Sequence, residues 1–237
     1  MAIPKIIHQV WEGRTEPSMP ARLQILARTW REKNPEWEYH LWNGEEMDKL
    51  VETHFPEYLS LYKSFPYNVQ RWDTIRYMIL HVYGGVYTDL DSECYKPIDS
   101  LLENETMYFG EEPQAHNYYI DINHLVGNAF MASEAGCIGW LKVLDAISEA
   151  MTQEQPQGSK AVINTTGPIL ISRIFSDLRK DYSATVLPSE DVAPLTIFDM
   201  QRYIYATGQE TFEKKIKDAY CAHYYFGTWL PQFENRI

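Results

Sequence analysis

The sequence predicts an α/β fold on an open sheet, and three observations carry that prediction. Strand-like runs such as Lys5 to Val10 and Trp37 to Trp42 alternate with helix-period segments; a helical stripe breaks at Gly84-Gly85; and the short strand that follows delivers two carboxylates one residue apart, Asp89 and Asp91. Strands alternating with helices, with chemistry-bearing residues at a strand's carboxyl end, fit the general rule for open α/β sheets.

In chain order, Lys5 to Val10 reads as a buried strand, followed by a Pro/Gly-rich loop from Glu12 to Pro20 and a helix over Ala21 to Lys33. Asn34-Pro35 closes that helix, because proline disfavours helical backbone in the residue before it. Trp37 to Trp42 alternates like a second strand, Gly44 to His54 forms the next helix, and Phe55 to Pro66 is a Pro-rich joint. In the following helix Val69, Trp72, Ile75, Ile79 and Val82 make an apolar stripe, with Asp73, Arg76 and Tyr77 on a neighbouring face at i, i+3 and i+4. Gly84-Gly85 lets the chain reverse, since glycine keeps backbone conformations closed to other residues. Beyond the acidic strand, Thr106 to Gly110 is a further strand. Cys137 to Met151 is a helix with Trp140, Leu141, Leu144 and Ile147 on one side. Helices over Pro168 to Leu178 and Gln209 to Ala219 and a strand near Thr185 to Leu187 complete the alternation, with no internal repeat and no low-complexity tract.

A chain of 237 residues, 45% hydrophobic and 14% aromatic, can bury one substantial core, so residues 1–237 are expected to form a single domain. The formal net charge of −12 argues against nucleic acid as a partner, since no basic stripe stands ready for a phosphate backbone. Cys94, Cys137 and Cys221 are sparse, odd in number and without a C-x-x-C pair, which suits reduced thiols in a cytoplasm. The N-terminal residues enter a strand at once, without signal-peptide regions, and no run reaches the roughly 18 apolar residues of a membrane span. The expected location is therefore cytoplasmic, with any membrane contact peripheral and resting on aromatic residues, as no polybasic cluster is present.

On a strand, side chains alternate, so Asp89 and Asp91 are expected to point one way and Leu90 towards the interior. Two carboxylates facing together suit a hard cation such as Mg²⁺ or Mn²⁺, which takes its remaining ligands from water and substrate phosphates. An acidic protein that binds a diphosphate needs such a cation between them. Glu93 continues the alternation, either as an outer acceptor or simply solvated. For Asp73 and Arg76 one reading is a surface ion pair worth about 0.2–0.5 kcal/mol. The other sends Asp73 to a sugar hydroxyl and Arg76 to a donor's phosphate or sugar.

The block Asp73-Thr74-Ile75-Arg76-Tyr77 through Tyr83-Gly84-Gly85-Val86-Tyr87-Thr88-Asp89-Leu90-Asp91 resembles the D-x-D signature of the Och1-like, capsular-polysaccharide glycosyltransferases (glycosyltransferase family 32). More distantly, it is similar to the glucosylating domains of the large clostridial toxins. Ile3-Pro4-Lys5-Ile6-Ile7-His8-Gln9-Val10-Trp11 resembles the family's opening strand, and His223-Tyr224-Tyr225-Phe226-Gly227-Thr228-Trp229 its closing His and Ser-Trp element, with Thr228 where Ser is more usual. The matches span nearly the whole chain.

The resemblance implies the GT-A glycosyltransferase fold, a mixed nucleotide-binding sheet flanked by helices. Residues 1–110 would then serve mainly the nucleotide sugar, and 111–237 the acceptor and a closing C-terminal segment. It implies that Trp11 stacks on the nucleotide base, where the alternative is a partly buried core tryptophan, and that Tyr87 also lies against the nucleotide sugar. His8 is either a neighbour of the nucleotide or structural. His223 would complete the metal site or bind diphosphate oxygen, unless it belongs to an aromatic cluster of Tyr220, Tyr224, Tyr225 and Phe226. Thr228 and Trp229 would donate to the leaving phosphate, or Trp229 would only plug the core. Asn128, in Gly127-Asn128-Ala129-Phe130, would hold a sugar hydroxyl from a turn, or merely satisfy that turn. Thr166 and Pro168 are expected to open a helix as cap and first residue.

The implied reaction moves a hexose, from UDP-galactose or UDP-glucose in first place, to a hydroxyl of a glycan or glycolipid in polysaccharide biosynthesis. GDP-mannose is the alternative donor. Retention is implied, either by same-face attack or through a covalent intermediate on a carboxylate, for which Glu111, Glu112 and Asp121 are the candidates. The rival functions are a nucleotide-sugar hydrolase and a non-catalytic carbohydrate-binding protein; a phosphotransferase is disfavoured because no G-x-x-x-x-G-K-[ST] loop is present.

Overall fold

A computed structural model describes residues 2–14, 16–103, 105–117, 123–204 and 209–227, without the side chains of 201–204 and 211. Strand β1 (Ile6–Val10) is followed by helix α1 (Ala21–Lys33), β2 (Glu38–Trp42), α2 (Gly44–His54), the short α3 (Leu59–Ser64) and α4 (Asn68–Tyr83). Then come β3 (Gly85–Thr88), β4 (Ser92–Cys94), β5 (Met107–Glu111), α5 (Gln114–Asn117), β6 (Val126–Ser133), α6 (Gly139–Thr152), α7 (Ser159–Thr165), α8 (Pro168–Tyr182) and β7 (Ala184–Leu187). The last elements are α9 (Ser189–Val192), α10 (Ile197–Ile204), α11 (Gln209–Ile216) and β8 (Cys221–His223).

Six strands form one sheet in the order β2-β1-β3-β6-β5-β7, and β4 pairs with β8 in a second, antiparallel sheet. Strands β1, β2, β3, β5 and β7 run one way, and β6 alone runs against them. Strand alternation sorts the core into two layers. Tyr87, Met107, Phe109 and Met131 face a cluster with Ile75, Tyr77 and Ile79 of α4, Trp140 and Leu144 of α6 and Leu170 of α8. Val86, Tyr108, Phe130 and Ala132 face Trp30 of α1, Cys94 and Cys221 on the other side. Trp30 also donates its indole N–H to the Ser92 carbonyl at 3.0 Å, fixing α1 against β4.

Local chemistry accounts for the ends that matter. Asn43 caps α2 by accepting from the Glu45 and Glu46 backbone, while Glu46 returns a bond to the Asn43 N–H. Gly84 ends α4 at φ 65° and Gly85 continues at φ 87°. A Cβ at Gly85 would stand 2.4 Å from the Ile6 carbonyl oxygen, so glycine is required both for backbone shape and for close strand approach.

The structure corrects four expectations and removes the surface reading of the Asp73–Arg76 pair. The strand before the acids ends at Thr88, and Asp89-Leu90-Asp91 is a turn closed by the Ser92 N–H to the Asp89 carbonyl at 3.1 Å. Pairing with β6 extends only as far as the Asp89 N–H, which donates to Ala129, and the chain then leaves the sheet. Residues 127–130 lie not in a turn but in β6, whose backbone is satisfied by β3 and β5 on its two sides. The joint from Phe55 to Pro66 contains a single 3-10 turn (Pro56–Tyr58) and α3. Asp73 and Arg76 pair in the interior rather than on the surface, each with a side chain 7% exposed. Gly167, not Thr166, is the N-cap of α8, although Pro168 does open it. Among the described residues no helix is long and apolar enough to cross a membrane.

Candidate functional site

Because only β6 is reversed, the carboxyl ends of β1, β3 and β5 and the amino end of β6 share one edge of the sheet. That edge gathers Trp11, Asp89, Glu112 and Asn128. It is the edge at which open α/β sheets bind ligands.

Asp89 and Asp91 each commit one carboxylate oxygen to the protein and leave the other towards His223. Asp89 Oδ1 accepts from the Tyr87 hydroxyl at 2.7 Å and pairs with Arg76 at 3.1 Å, while Oδ2 lies 3.9 Å from His223 Nε2. Asp91 Oδ2 accepts from the Phe226 N–H at 2.8 Å, and Oδ1 lies 3.0 Å from His223 Nε2. One ligand atom from each of the three residues falls within 4.8 Å of the other two. Pairing across β4 and β8 sets this up, since Ser92 stands opposite His223 and the Tyr224 N–H donates to the Asp91 carbonyl. Burial pushes the His223 imidazole down, but Asp91, then Asp89 and Glu112, outweigh it and raise its pKa to about 9. Burial pushes Asp91 up, and the charge and hydrogen bond of His223 reverse that to leave it below its ordinary value. Two carboxylate oxygens and one imidazole nitrogen converging on a point fit a Mn²⁺ or Mg²⁺ ion with its remaining positions open.

Behind this cluster lies a buried polar network on α4. Asp73 Oδ1 pairs with Arg76 at 3.0 Å and accepts from the Asn128 amide at 3.1 Å, while Oδ2 accepts from the Thr166 hydroxyl at 2.8 Å. Arg76 donates to the Asn128 carbonyl at 2.8 Å and lies over the Tyr87 ring, 4.7 Å from its centroid. Burial raises the Asp73 pKa above its ordinary value despite Arg76 and both donors. Burial opposes the Arg76 charge, yet Asp89, Tyr87 and Asp73 hold its pKa above the usual value. Asn128 reaches α4 because the β5–β6 register shifts between Phe109 and Glu111, and such irregularities re-aim side chains beside active sites. Its amide also donates to the Tyr77 hydroxyl at 2.9 Å. Arg76 is thus spent on protein partners, and Tyr87, 3% exposed, supports Asp89 from inside.

A second acid flanks the cluster. Glu112 Oε2 accepts from the Tyr225 hydroxyl and from His116, each at 2.9 Å. Burial pushes the Glu112 carboxyl up, but the His116 hydrogen bond, the His223 charge and Tyr225 hold it below its ordinary value. Sequence reasoning placed Glu112 among three candidates, missed His116, and named Tyr225 only as a neighbour of His223 in an aromatic cluster. The only signal was four-residue spacing of Glu112 and His116, and Tyr225 lies far away in the chain.

The remaining sequence candidates take varied places. Trp11 is half-buried against Leu23, Leu26 and Leu90, and its indole donates to the Glu16 carbonyl at 3.1 Å. His8 is structural: Nε2 meets the Gly84 carbonyl at 3.0 Å, Nδ1 accepts from Trp42 at 3.1 Å, and burial pushes its pKa down to about 4. Glu93 accepts from the Tyr224 and Tyr95 hydroxyls. Glu111 meets His124 at 3.4 Å, where the His124 side chain is 82% exposed. Thr228, Trp229 and Asp121 lie outside the described residues.

Residues 20–108 match the family described as a glycosyltransferase sugar-binding region containing a DXD motif. The chain is 33% identical over 180 residues to inositol phosphoceramide mannosyltransferase 3 of Schizosaccharomyces pombe, covering 76% of this chain and 46% of that protein. It therefore spans less than half the length of that relative. It is 25% identical over 250 residues to an uncharacterized glycosyltransferase of Acanthamoeba polyphaga mimivirus, covering 99% of this chain and 89% of that one. Its fold is similar to the UDP-bound glycosyltransferase domain of the YGT toxin, with a TM-score of 0.57 at 8% identity, covering 91% of this chain and 88% of that chain.

Proposed function

The chain belongs to the DXD-containing glycosyltransferase family and has the GT-A fold, and from that premise we propose that it moves a hexose from a nucleotide diphosphate sugar to a hydroxyl of a glycan or glycolipid. The convergence of Asp89, Asp91 and His223 at the ligand edge of the sheet carries this reading. These three residues would hold a Mn²⁺ or Mg²⁺ ion, which supplies Lewis-acid neutralisation of the diphosphate. Trp11, on the β1 side, offers an aromatic face to the base. Arg76 and Tyr87 fix Asp89 so that its free oxygen is already oriented before substrate arrives, which lowers the reorganisation that binding demands. Asn128 and Asp73, tied to each other, offer their remaining hydrogen-bonding capacity to a sugar hydroxyl. In the transfer the bond from anomeric carbon to phosphate oxygen breaks with its electron pair going to the diphosphate. The acceptor oxygen bonds to that carbon from the same face, and its proton passes to the departing phosphate oxygen.

For the donor, sequence reasoning favours UDP-galactose or UDP-glucose. A mannosyl donor is the second reading, and the name of the fission-yeast relative favours it. One screen tests both: UDP-galactose, UDP-glucose and GDP-mannose with Mn²⁺, each alone and with methyl α-mannoside, methyl β-galactoside or inositol phosphoceramide, read as nucleoside diphosphate release. The expected result is release from one donor, accelerated by an acceptor and abolished by chelator. Release that no acceptor changes would favour the hydrolase, and sugar binding that survives chelator with no release at all would favour the binding module.

A further inference from the structure

Among the described residues, Glu112 is an enclosed acid on the β5 side of the site edge that the proposed transfer leaves without a task. Its side chain is 11% exposed, and one oxygen holds it in place. The proton positions follow from the partners: the Ile197 N–H donates to His116 Nε2 at 3.2 Å, so His116 carries its proton on Nδ1 and donates to Glu112 Oε2. Tyr225 donates to the same oxygen while standing at φ 50°, a left-handed backbone that costs a non-glycine residue strain. Its ring centroid lies 4.1 Å from that of His223. Among the described residues Glu112 Oε1 takes no hydrogen bond, and a Cβ on Gly127 would stand 2.9 Å from it. Glu112, Gly127 and His223 line one small cavity. A carboxylate is therefore clamped by Oε2 and presents Oε1 from the β5 side of the metal ligands, opposite Trp11 on the β1 side.

We propose that Glu112 Oε1 binds a hydroxyl of the acceptor sugar, a contact that rests on the transferase reading. An ionised carboxylate only accepts, and a hydroxyl donating to it makes a shorter, stronger bond than it would to a neutral group.

Glu112→Gln tests this with little change of shape. Because Tyr225 and His116 both donate to one oxygen, the new carbonyl must take that place, and the NH₂ then stands where the acceptor Oε1 stood. Gly127→Ala is the second variant; its φ lies outside the left-handed region, and the added methyl presses on Oε1 without changing charge. With the acceptor that most accelerates the wild type in the screen above, both variants should raise acceptor KM about tenfold or more, the loss of one good hydrogen bond. In Gly127→Ala, which leaves the charge beside His223 in place, donor KM and acceptor-free diphosphate release should stay at wild-type values. Unchanged acceptor KM in both variants overturns the proposal, as does an equal loss of acceptor-free release in Gly127→Ala, which would place Glu112 on the donor. A wild type that releases nothing, or that no acceptor accelerates, instead removes the transferase reading itself.

A separate observation concerns the thiols. Cys94 and Cys221 stand directly opposite across β4 and β8, and both are free and buried. The Tyr95 N–H bonds to the Tyr220 carbonyl and the Tyr224 N–H to the Asp91 carbonyl, which makes Cys94–Cys221 a non-hydrogen-bonded pair. Such pairs bring Cα atoms to about 4.5 Å, within the span a disulfide bridges. We infer that these thiols form a cross-strand disulfide with a disulfide oxidant such as glutathione disulfide. The two thiols lose two protons and two electrons as one S–S bond forms, and the oxidant's S–S bond is reduced to two thiols. The link would tie the strand after Asp91 to the strand ending in His223. After the chain is refolded from denaturant in a mixture of reduced and oxidised glutathione, so that the thiols meet the oxidant before burial, thiol counting in denaturant should fall from three to one, with peptide mapping joining Cys94 to Cys221. Three remaining thiols, or glutathione attached to separate cysteines, would overturn it.

Discussion

Arg76→Met removes the one positive charge between Asp73 and Asp89 while keeping most of the side chain's bulk. Asp73 is enclosed, with Arg76 at 3.0 Å and neutral donors Thr166 and Asn128 elsewhere, whereas Asp89 retains the Tyr87 hydroxyl and a side chain 23% exposed. Removing one partner of a buried pair costs about 3–5 kcal/mol. Asp73 limits that cost by taking a proton. If its ordinary pKa is about 3.9, holding it protonated at pH 7 costs about 1.36 kcal/mol for each of about three pH units, roughly 4 kcal/mol in all. At pH 5 the same protonation costs about 1.5 kcal/mol. The sign follows from proton counting: folded Arg76→Met binds a proton that its unfolded chain does not, so the variant gains on wild type as pH falls from 7 towards 4. Adding Asp73→Asn removes the titrating group and should bring the pair of substitutions within about 2 kcal/mol of wild type at pH 7, with that extra slope gone. Urea unfolding of wild type, single and double variants at pH 7 and 5 measures all of this. A wild-type pH slope in Arg76→Met, or a double variant no more stable than the single one, refutes the assignment of Arg76 as the neutralising clamp.

Asp91→Asn should abolish metal-dependent diphosphate release while the far-UV circular dichroism stays that of wild type; full activity in this variant would remove the metal from the mechanism. Gly85→Ala should lower unfolding free energy by about 2–5 kcal/mol, from left-handed backbone strain plus a Cβ driven against the Ile6 carbonyl, read by denaturant titration. His8 folds neutral with a pKa of about 4 against an ordinary 6.5, so its stabilising contribution is complete above pH 6.5 and is lost as pH falls towards 4. Between pH 6.5 and 5 that loss is about 2 kcal/mol, and His8→Gln should flatten the stability profile there by the same amount.

The sequence carried the architecture where local chemistry decides it. Helices α1 and α2 begin and end where periodicity and Asn34-Pro35 put them, and Gly84-Gly85 marks the end of α4. It failed where tertiary pairing overrides local signal. Gly127 and Asn128 look like turn residues, but β6 is held on both sides by β3 and β5, and that pairing outweighs their weak strand propensity. Strands β4 and β8, three residues each, are too short to show a period. The Asp73 ion pair read equally well as surface or site, because only the fold could reveal that Thr166 and Asn128 bury it. The opposition of Cys94 and Cys221 was invisible for the same reason: nothing local announces a partner so distant in the chain.

Two departures from the simplest α/β plan bring the site together. Had β6 run parallel to its neighbours, the five residue steps from Asn128 to Ser133 at about 3.3 Å each would have put Asn128 roughly 17 Å from the edge where Asp89 lies. Reversed, β6 returns Asn128 to the edge where β3 ends, close enough to bond Asp73 and to receive Arg76 on its carbonyl. The second departure is the turn at Asp89-Leu90-Asp91. A continuing strand would have spaced the two acids about 7 Å apart along its axis, on one face of a sheet whose two faces are both covered by packed core. The turn frees both side chains from that face, and pairing of β4 with β8 then sets His223 against them. The D-x-D spacing alone therefore does not make the site; the chain's exit from the sheet and the closing strand from the C-terminal region do.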